Sequence, residues 1–226
     1  MPKLLEVIVT SVEEAKEAEA GGADRVELVR AFEVGGLTPA PEVVEQVVRA
    51  VSIPVRVMLR ENASMSAADA HEIGALQVRA RQLAQLPIDG FVLGFVKNGR
   101  LDLDTMGEVL TDASGCRVTL HRAFEQAGDA VATIQQVKSS PAIDRILTSG
   151  GDGSWRQRKA RLLEWQAAAA PEIRILVGVG LSASRMTEIA RYSEEFEFHA
   201  GRAARVPHTT SGTVSKELVA KLKALL

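Results

Sequence analysis

GADRVEL, residues 22–28, returns in altered form as PIDGFVL at 87–93 and AIDRILT at 142–148. Each copy sets an aspartate just ahead of a short, largely apolar run of the kind that forms a buried strand. Counted along the chain, the three copies introduce the second, fourth and sixth strand patterns. A feature that returns at every other strand suits a closed barrel, whose lumen is filled in layers by alternate strands.

The remaining strand patterns fall into line around these three. In order they are LLEVIVT (4–10), RVELV (25–29), VRVML (55–59), GFVLG (90–94), RVTLH (117–121), RILTS (145–149), IRILVG (173–178) and EFEFH (195–199). Helical patterns separate them. In one, Val43, Val44, Val47, Val48 and Val51 share a face, and Thr38 with Pro39 reads as N-cap and first helical position. Strand–helix alternation implies a parallel sheet with helical crossovers. Eight such units in 226 residues predict an α/β protein, a single (β/α)8 TIM barrel spanning 1–226 as one domain. An open doubly wound sheet is the alternative. The last crossover is expected to be irregular around VPHTTSG (206–212).

Side chains alternate between the two faces of a strand, and the face under the helices must be apolar. That rule sends Val26, Leu28, Val118, Leu120, Phe196 and Phe198 outward. It sends Glu6, Glu27, Arg56, Arg60, Thr119, His121, Glu197 and His199 into the lumen. Charges there must be paired or hydrogen-bonded. Glu6, Arg56 and Glu197, low in the barrel, fit a structural ion-pair network. Glu27, His121 and His199 converge from the second, fifth and eighth strands toward the carboxyl end, where barrel enzymes place their chemistry. They are the candidate catalytic residues and the candidate metal ligands, with a hydrogen-bonded lumen network as the alternative.

Arg60 and Arg122 sit where they could clamp a carboxylate or phosphate, or pair with Glu27 or Glu61. Ser149, Gly150 and Gly151 follow the sixth strand, Gly178 and Gly180 the seventh, and Gly201 with Arg202 the eighth. Glycines after these strands let backbone N–H groups approach an anion, although tight turns also need them. Lys97 lies beyond a strand end, which argues against a Schiff-base aldolase.

Composition narrows the function classes. The chain is 46% hydrophobic with a net charge of −2 and no basic stripe, so no nucleic-acid partner is expected. The first strand pattern begins almost at once and no apolar run could span a bilayer, so no membrane partner and a cytoplasmic location are expected. Cys116 is the only cysteine and precedes the fifth strand, at the end opposite the expected site.

GGADRVEL, GGLTP, IPVRVMLR, DGFVLG, VTLHRAF, DRILTSGG and HAGRAAR, taken in this order, resemble the CutC copper-homeostasis family over roughly residues 4–205. The resemblance implies a cytosolic (β/α)8 barrel linked to copper tolerance or copper binding, with Glu27, Arg60, His121, Arg122, Ser149 and His199 at its mouth. The family often carries cysteines at the ends of the first two strands, where this chain has Ile8 and Val29. Its loop after the third strand reads RENASMSAADA, and VGVG replaces the glycine run after the seventh. Cu(I) prefers thiolate and thioether ligands, so weak Cu(I) binding is expected. Two readings stay open: a copper-homeostasis protein holding copper or another divalent metal ion, and a barrel isomerase or lyase acting on a small phosphorylated or anionic metabolite by acid–base or metal-assisted chemistry. The expected partner is that anion or metal ion, with self-association open.

Overall fold

Eight parallel strands close into a barrel in the computed structural model, which describes residues 3–67, 69–113, 115–178 and 180–226. The strands are β1 (Leu5–Val9), β2 (Arg25–Leu28), β3 (Val55–Met58), β4 (Gly90–Leu93), β5 (Arg117–Leu120), β6 (Ile143–Thr148), β7 (Arg174–Val177) and β8 (Glu197–Ala200). Each pairs with its neighbours in sequence, and β8 returns to β1 through Leu5 with Phe198 and Glu6 with His199. The open doubly wound alternative is thereby excluded. Crossovers are carried by α1 (Val12–Ala20), α2 (Pro41–Ala50), α3 (Ala70–Leu83), α4 (Leu103–Val109), α5 (Ala130–Val137), α6 (Trp155–Ala169) and α7 (Ala183–Ala190), with α8 (Lys216–Lys223) following β8. No helix among the described residues is long and apolar enough to cross a membrane.

The apolar layer lies between strands and helices, as alternation required. Val7, Val26, Val57, Phe91, Leu120, Ile146, Val177 and Phe198 are all part of it. Aromatic residues are few, and two of them meet edge-on, Phe124 against Trp165 at 5.1 Å. With so little aromatic area, the layer depends on close packing of many aliphatic side chains.

Inside, the amino half of the barrel is an ion-pair network. Arg25 Nε donates to Glu6 at 2.5 Å, and Arg145 Nε donates to Glu197 at 2.5 Å. Arg56 donates to Asp89 at 2.6 Å and to Asp144 at 2.7 and 3.0 Å. The recurring aspartate therefore has a purpose at two of its three positions, where it receives Arg56. Asp24, the third, accepts from the Leu5 amide and from Lys223 on α8. A register shift between β5 and β6 passes over Asp144: Val118 pairs with Ile143, but Thr119 pairs with Arg145.

Two departures bear on the site. Thr38 does not cap α2, which starts at Pro41 after Ala40. Its hydroxyl instead accepts from the Arg60 amide at 2.9 Å and donates to the Arg60 carbonyl at 3.0 Å, fixing the backbone that carries Arg60. The last crossover is irregular where expected, as a two-stranded ribbon of Arg205–Val206 with Thr213–Val214; Val96–Lys97 with Arg100–Leu101 forms a second ribbon after β4.

Candidate functional site

The carboxyl end of the barrel opens into a cavity of about 510 Å³ whose lining includes Glu27, Arg60, His121 and His199. β2 and β8 deliver Glu27 and His199 from inward-facing positions. Arg60 lies two residues past β3. His121 directly follows β5 and caps the short 3-10 turn Arg122–Gln126, its Nδ1 accepting from the Ala123 amide at 3.2 Å. Glu27, Arg60 and His121 are 1%, 4% and 3% exposed.

Among the described residues, four buried side-chain nitrogen or oxygen atoms lack a hydrogen-bond partner: Glu27 Oε2, Arg60 Nε, His121 Nε2 and Arg205 Nε. The first three belong to residues lining this one cavity. Buried polar groups without partners are rare and call for an explanation, and ligand binding is one. Arg205 lines a separate groove outside the barrel and is already held by Glu14 at 2.6 and 2.7 Å.

Electrostatics give the groups distinct roles. Because Nδ1 of His121 accepts a hydrogen bond, its neutral ring carries the proton on Nε2. Burial, reinforced by the positive charge of Arg60, lowers His121 to about 3, so the ring is a neutral donor at physiological pH. Burial pushes the Glu27 carboxyl up to about 7, against the attraction of His199. Burial acts to lower His199, but its bond to Glu6 (2.8 Å) and the charge of Glu27 (3.4 Å away) outweigh it and raise the imidazole. Arg25 and His199 together hold Glu6 well below the usual carboxylate range despite its burial. Arg60 bonds the Val34 carbonyl at 2.7 Å and the Met65 sulfur at 3.7 Å, and among the described residues no carboxylate bonds it directly.

Several sequence expectations are redirected. The cavity does include Arg122, Gly180, Gly201 and Arg202 in its lining, but not Ser149, Gly150, Gly151 or Gly178. The reason is an internal anion. One oxygen of Glu125 accepts from the Ser149 amide (2.6 Å), the Ser149 hydroxyl (2.7 Å) and the Thr148 hydroxyl (2.8 Å). The turn after β6 thus already holds a carboxylate of the chain itself. Gly150 is packed against the α6 backbone at Arg158, and Gly178 against Leu147 and His199. Val179, between two of the expected glycines, lies outside the described residues, as does Ala68 in the loop after β3. Arg122 pairs with the other oxygen of Glu125 at 3.0 Å, and not with Glu61, which Arg30 takes at 2.7 Å.

Metal ligation is also regrouped. The compact donor set is Glu6, Glu27 and His199, whose ligand atoms lie within 4.8 Å of one another. His121 is not part of this compact set. Glu6 was expected in the lower network, and it belongs to both: Arg25 holds one oxygen and His199 the other. Alternation gave its direction, but only its height decides that it meets His199. Two carboxylates and an imidazole suit a borderline divalent ion and do not suit Cu(I). Ile8 and Val29, at the positions where the family often carries cysteines, form with Met58 and Val92 a small apolar cluster. Cys116 is absent from the cavity lining, and burial raises its thiol.

Comparison with known proteins agrees with this architecture. The CutC family profile matches residues 3–204. A CutC family protein of Xanthomonas axonopodis pv. citri (strain 306) is 33% identical over 208 residues, covering 90% of this chain and 86% of the relative. The human copper homeostasis protein cutC homolog is 32% identical over 197 residues, covering 87% and 72%. Among solved structures, CutC from Streptococcus agalactiae superposes with a TM-score of 0.80 at 21% identity, covering 87% of this chain and 98% of that one.

Proposed function

This chain belongs to the CutC family, and from that membership we propose that it serves copper homeostasis in the cytoplasm by acting on a small anionic molecule in the barrel mouth, not by holding Cu(I) on thiolates. Copper homeostasis is the role in the name of the human relative. The observation that carries the anion is the trio of unpartnered buried atoms on residues of one cavity, two of them donors on Arg60 and His121. Arg122 and Arg202 add positive charge at the rim. A ligand selective for the folded state raises its stability with occupancy. Oxalate or phosphate, added to chelator-treated protein at constant ionic strength, should therefore raise the melting temperature where chloride does not, and Arg60→Met should remove the effect. An equal response to all three anions would sink this reading.

A second reading has its own support in the Glu6, Glu27 and His199 cluster, which could carry Cu(II) or another divalent ion as cargo. Two of its groups, Glu27 and His199, hold their protons to higher pH than usual, and a metal ion must displace those protons. If this reading holds, Cu(II) affinity rises as pH passes through about 7 and Glu27→Gln abolishes it. Cu(I) should bind weakly in either case, with Cys116→Ser leaving its affinity unchanged. Competition with a chromophoric Cu(I) chelator measures this, and a tight complex lost in the serine variant would contradict it.

A further inference from the structure

Residues lining the same cavity carry two unpartnered buried donors and one unpartnered buried acceptor, and this polarity points to a reaction class. Resting on the anion reading above, we propose that the barrel mouth enolises a small anionic carbonyl compound, with Glu27 as the base and Arg60 and His121 holding the carbonyl oxygen. The base takes a proton from the carbon next to the carbonyl. The C–H electron pair becomes the new C=C bond, and the carbonyl π pair moves onto oxygen. That oxygen receives the hydrogen bonds of Arg60 Nε–H and His121 Nε2–H, both unpartnered. Return of the proton to the same carbon gives exchange; where that carbon carries a hydroxyl, transfer of the hydroxyl proton to the former carbonyl oxygen and of the carbon-bound proton to the former carbonyl carbon gives isomerisation. Neither needs an oxidant, a reductant or a second substrate.

Three features favour this class over others. First, the donors are of the right kind. The Nδ1 bond to Ala123 fixes Nε2 of His121 as a donor, and a carboxylate base opposite a neutral imidazole donor is an established arrangement for enolisation. Second, the reacting groups are almost entirely buried, so their interactions with developing charge are not screened by water. Third, the side chains most often used as covalent nucleophiles, a thiol and a strand-end lysine, are not part of the mouth. Ser149 donates its hydroxyl to Glu125, and neither Cys116 nor Lys97 lines the cavity. Glu6 and His199 act as positioning residues: Arg25 anchors Glu6, Glu6 orients His199, and His199 faces Glu27 at 3.4 Å. The carbonyl sits at the buried end, and the anionic group of the substrate faces Arg122 and Arg202.

Deuterium exchange tests the inference. Chelator-treated protein is incubated in D2O with pyruvate, hydroxypyruvate or dihydroxyacetone phosphate, and loss of the α-proton signal is followed by NMR. At least one of these should exchange well above the buffer blank. Glu27→Gln should slow it by about 100-fold or more, the range of general-base catalysis. His121→Phe should also slow it, and His121→Gln, which keeps an N–H donor, should recover part of the rate. Oxalate, which resembles a planar enolate, is titrated calorimetrically into the same samples. Glu27→Gln should bind it at least as well as wild type, because a negative charge has been removed, and this also shows that the variant is folded. Oxalate binding without exchange of any of the three compounds overturns the enolisation inference alone. Absence of both overturns the anion reading with it.

Discussion

Arg25→Met should lower the stability of the barrel by about 3–5 kcal/mol, the usual loss when one partner of a buried ion pair is removed. Arg25 is 2% exposed and donates to Glu6, which is 0% exposed, and to Glu197 at 3.3 Å. Methionine fills much of the same volume but leaves the Glu6 carboxylate with only His199 as a charged partner. Chemical denaturation gives the stability directly. Glu6→Gln in the Arg25→Met background should restore part of the loss, because the stranded charge is then gone. A loss below about 1 kcal/mol would mean that the pair is no stronger than an exposed one.

Glu27→Gln should change how stability depends on pH. Folding raises this carboxyl from 4.5 to about 7, so the folded chain binds the proton more tightly than the unfolded chain does. The contribution of Glu27 is therefore fully present below pH 4.5 and is lost as pH rises through about 7. Each tenfold gain in proton affinity is worth about 1.4 kcal/mol, so the loss is on the order of 3 kcal/mol. His199 is shifted in the same direction, partly by Glu27, so its contribution also fades as pH rises and is smaller in the variant. Glutamine does not titrate, so the variant should gain on wild type between pH 5 and pH 8. Paired thermal melts across that range measure the gap. A gap that stays constant would show that Glu27 ionises at an ordinary carboxylate pKa.

The barrel was legible from the sequence because its determinants are local and periodic. Apolar residues at every second position of GADRVEL, VTLHRAF and EFEFH face the helices, so Glu27, His121 and His199 had to face the lumen. Seven ordered motifs added the family. Cys116 could be placed at the wrong end for metal chemistry for the same reason, since it precedes its strand.

What stayed hidden was which inward-facing groups meet. Alternation gives a direction relative to the sheet, but a partner depends on height along the barrel, on stagger between strands and on the reach of each side chain. Glu125 lies on a turn after β5 and no periodicity marks it, yet it occupies the Ser149 turn that had looked ready for an external anion. His121 looked like a base or a metal ligand until its Nδ1 bond to Ala123 made it a neutral donor. Glu6 was grouped with Arg56 and Glu197, but closure of β8 onto β1 sets it beside His199, which it bonds. Local pattern was enough for the barrel and for the side of the sheet on which each charge lies. Which charges cancel, and which are left facing the cavity, depends on contacts between strands far apart in the chain, and those exist only once the barrel has closed.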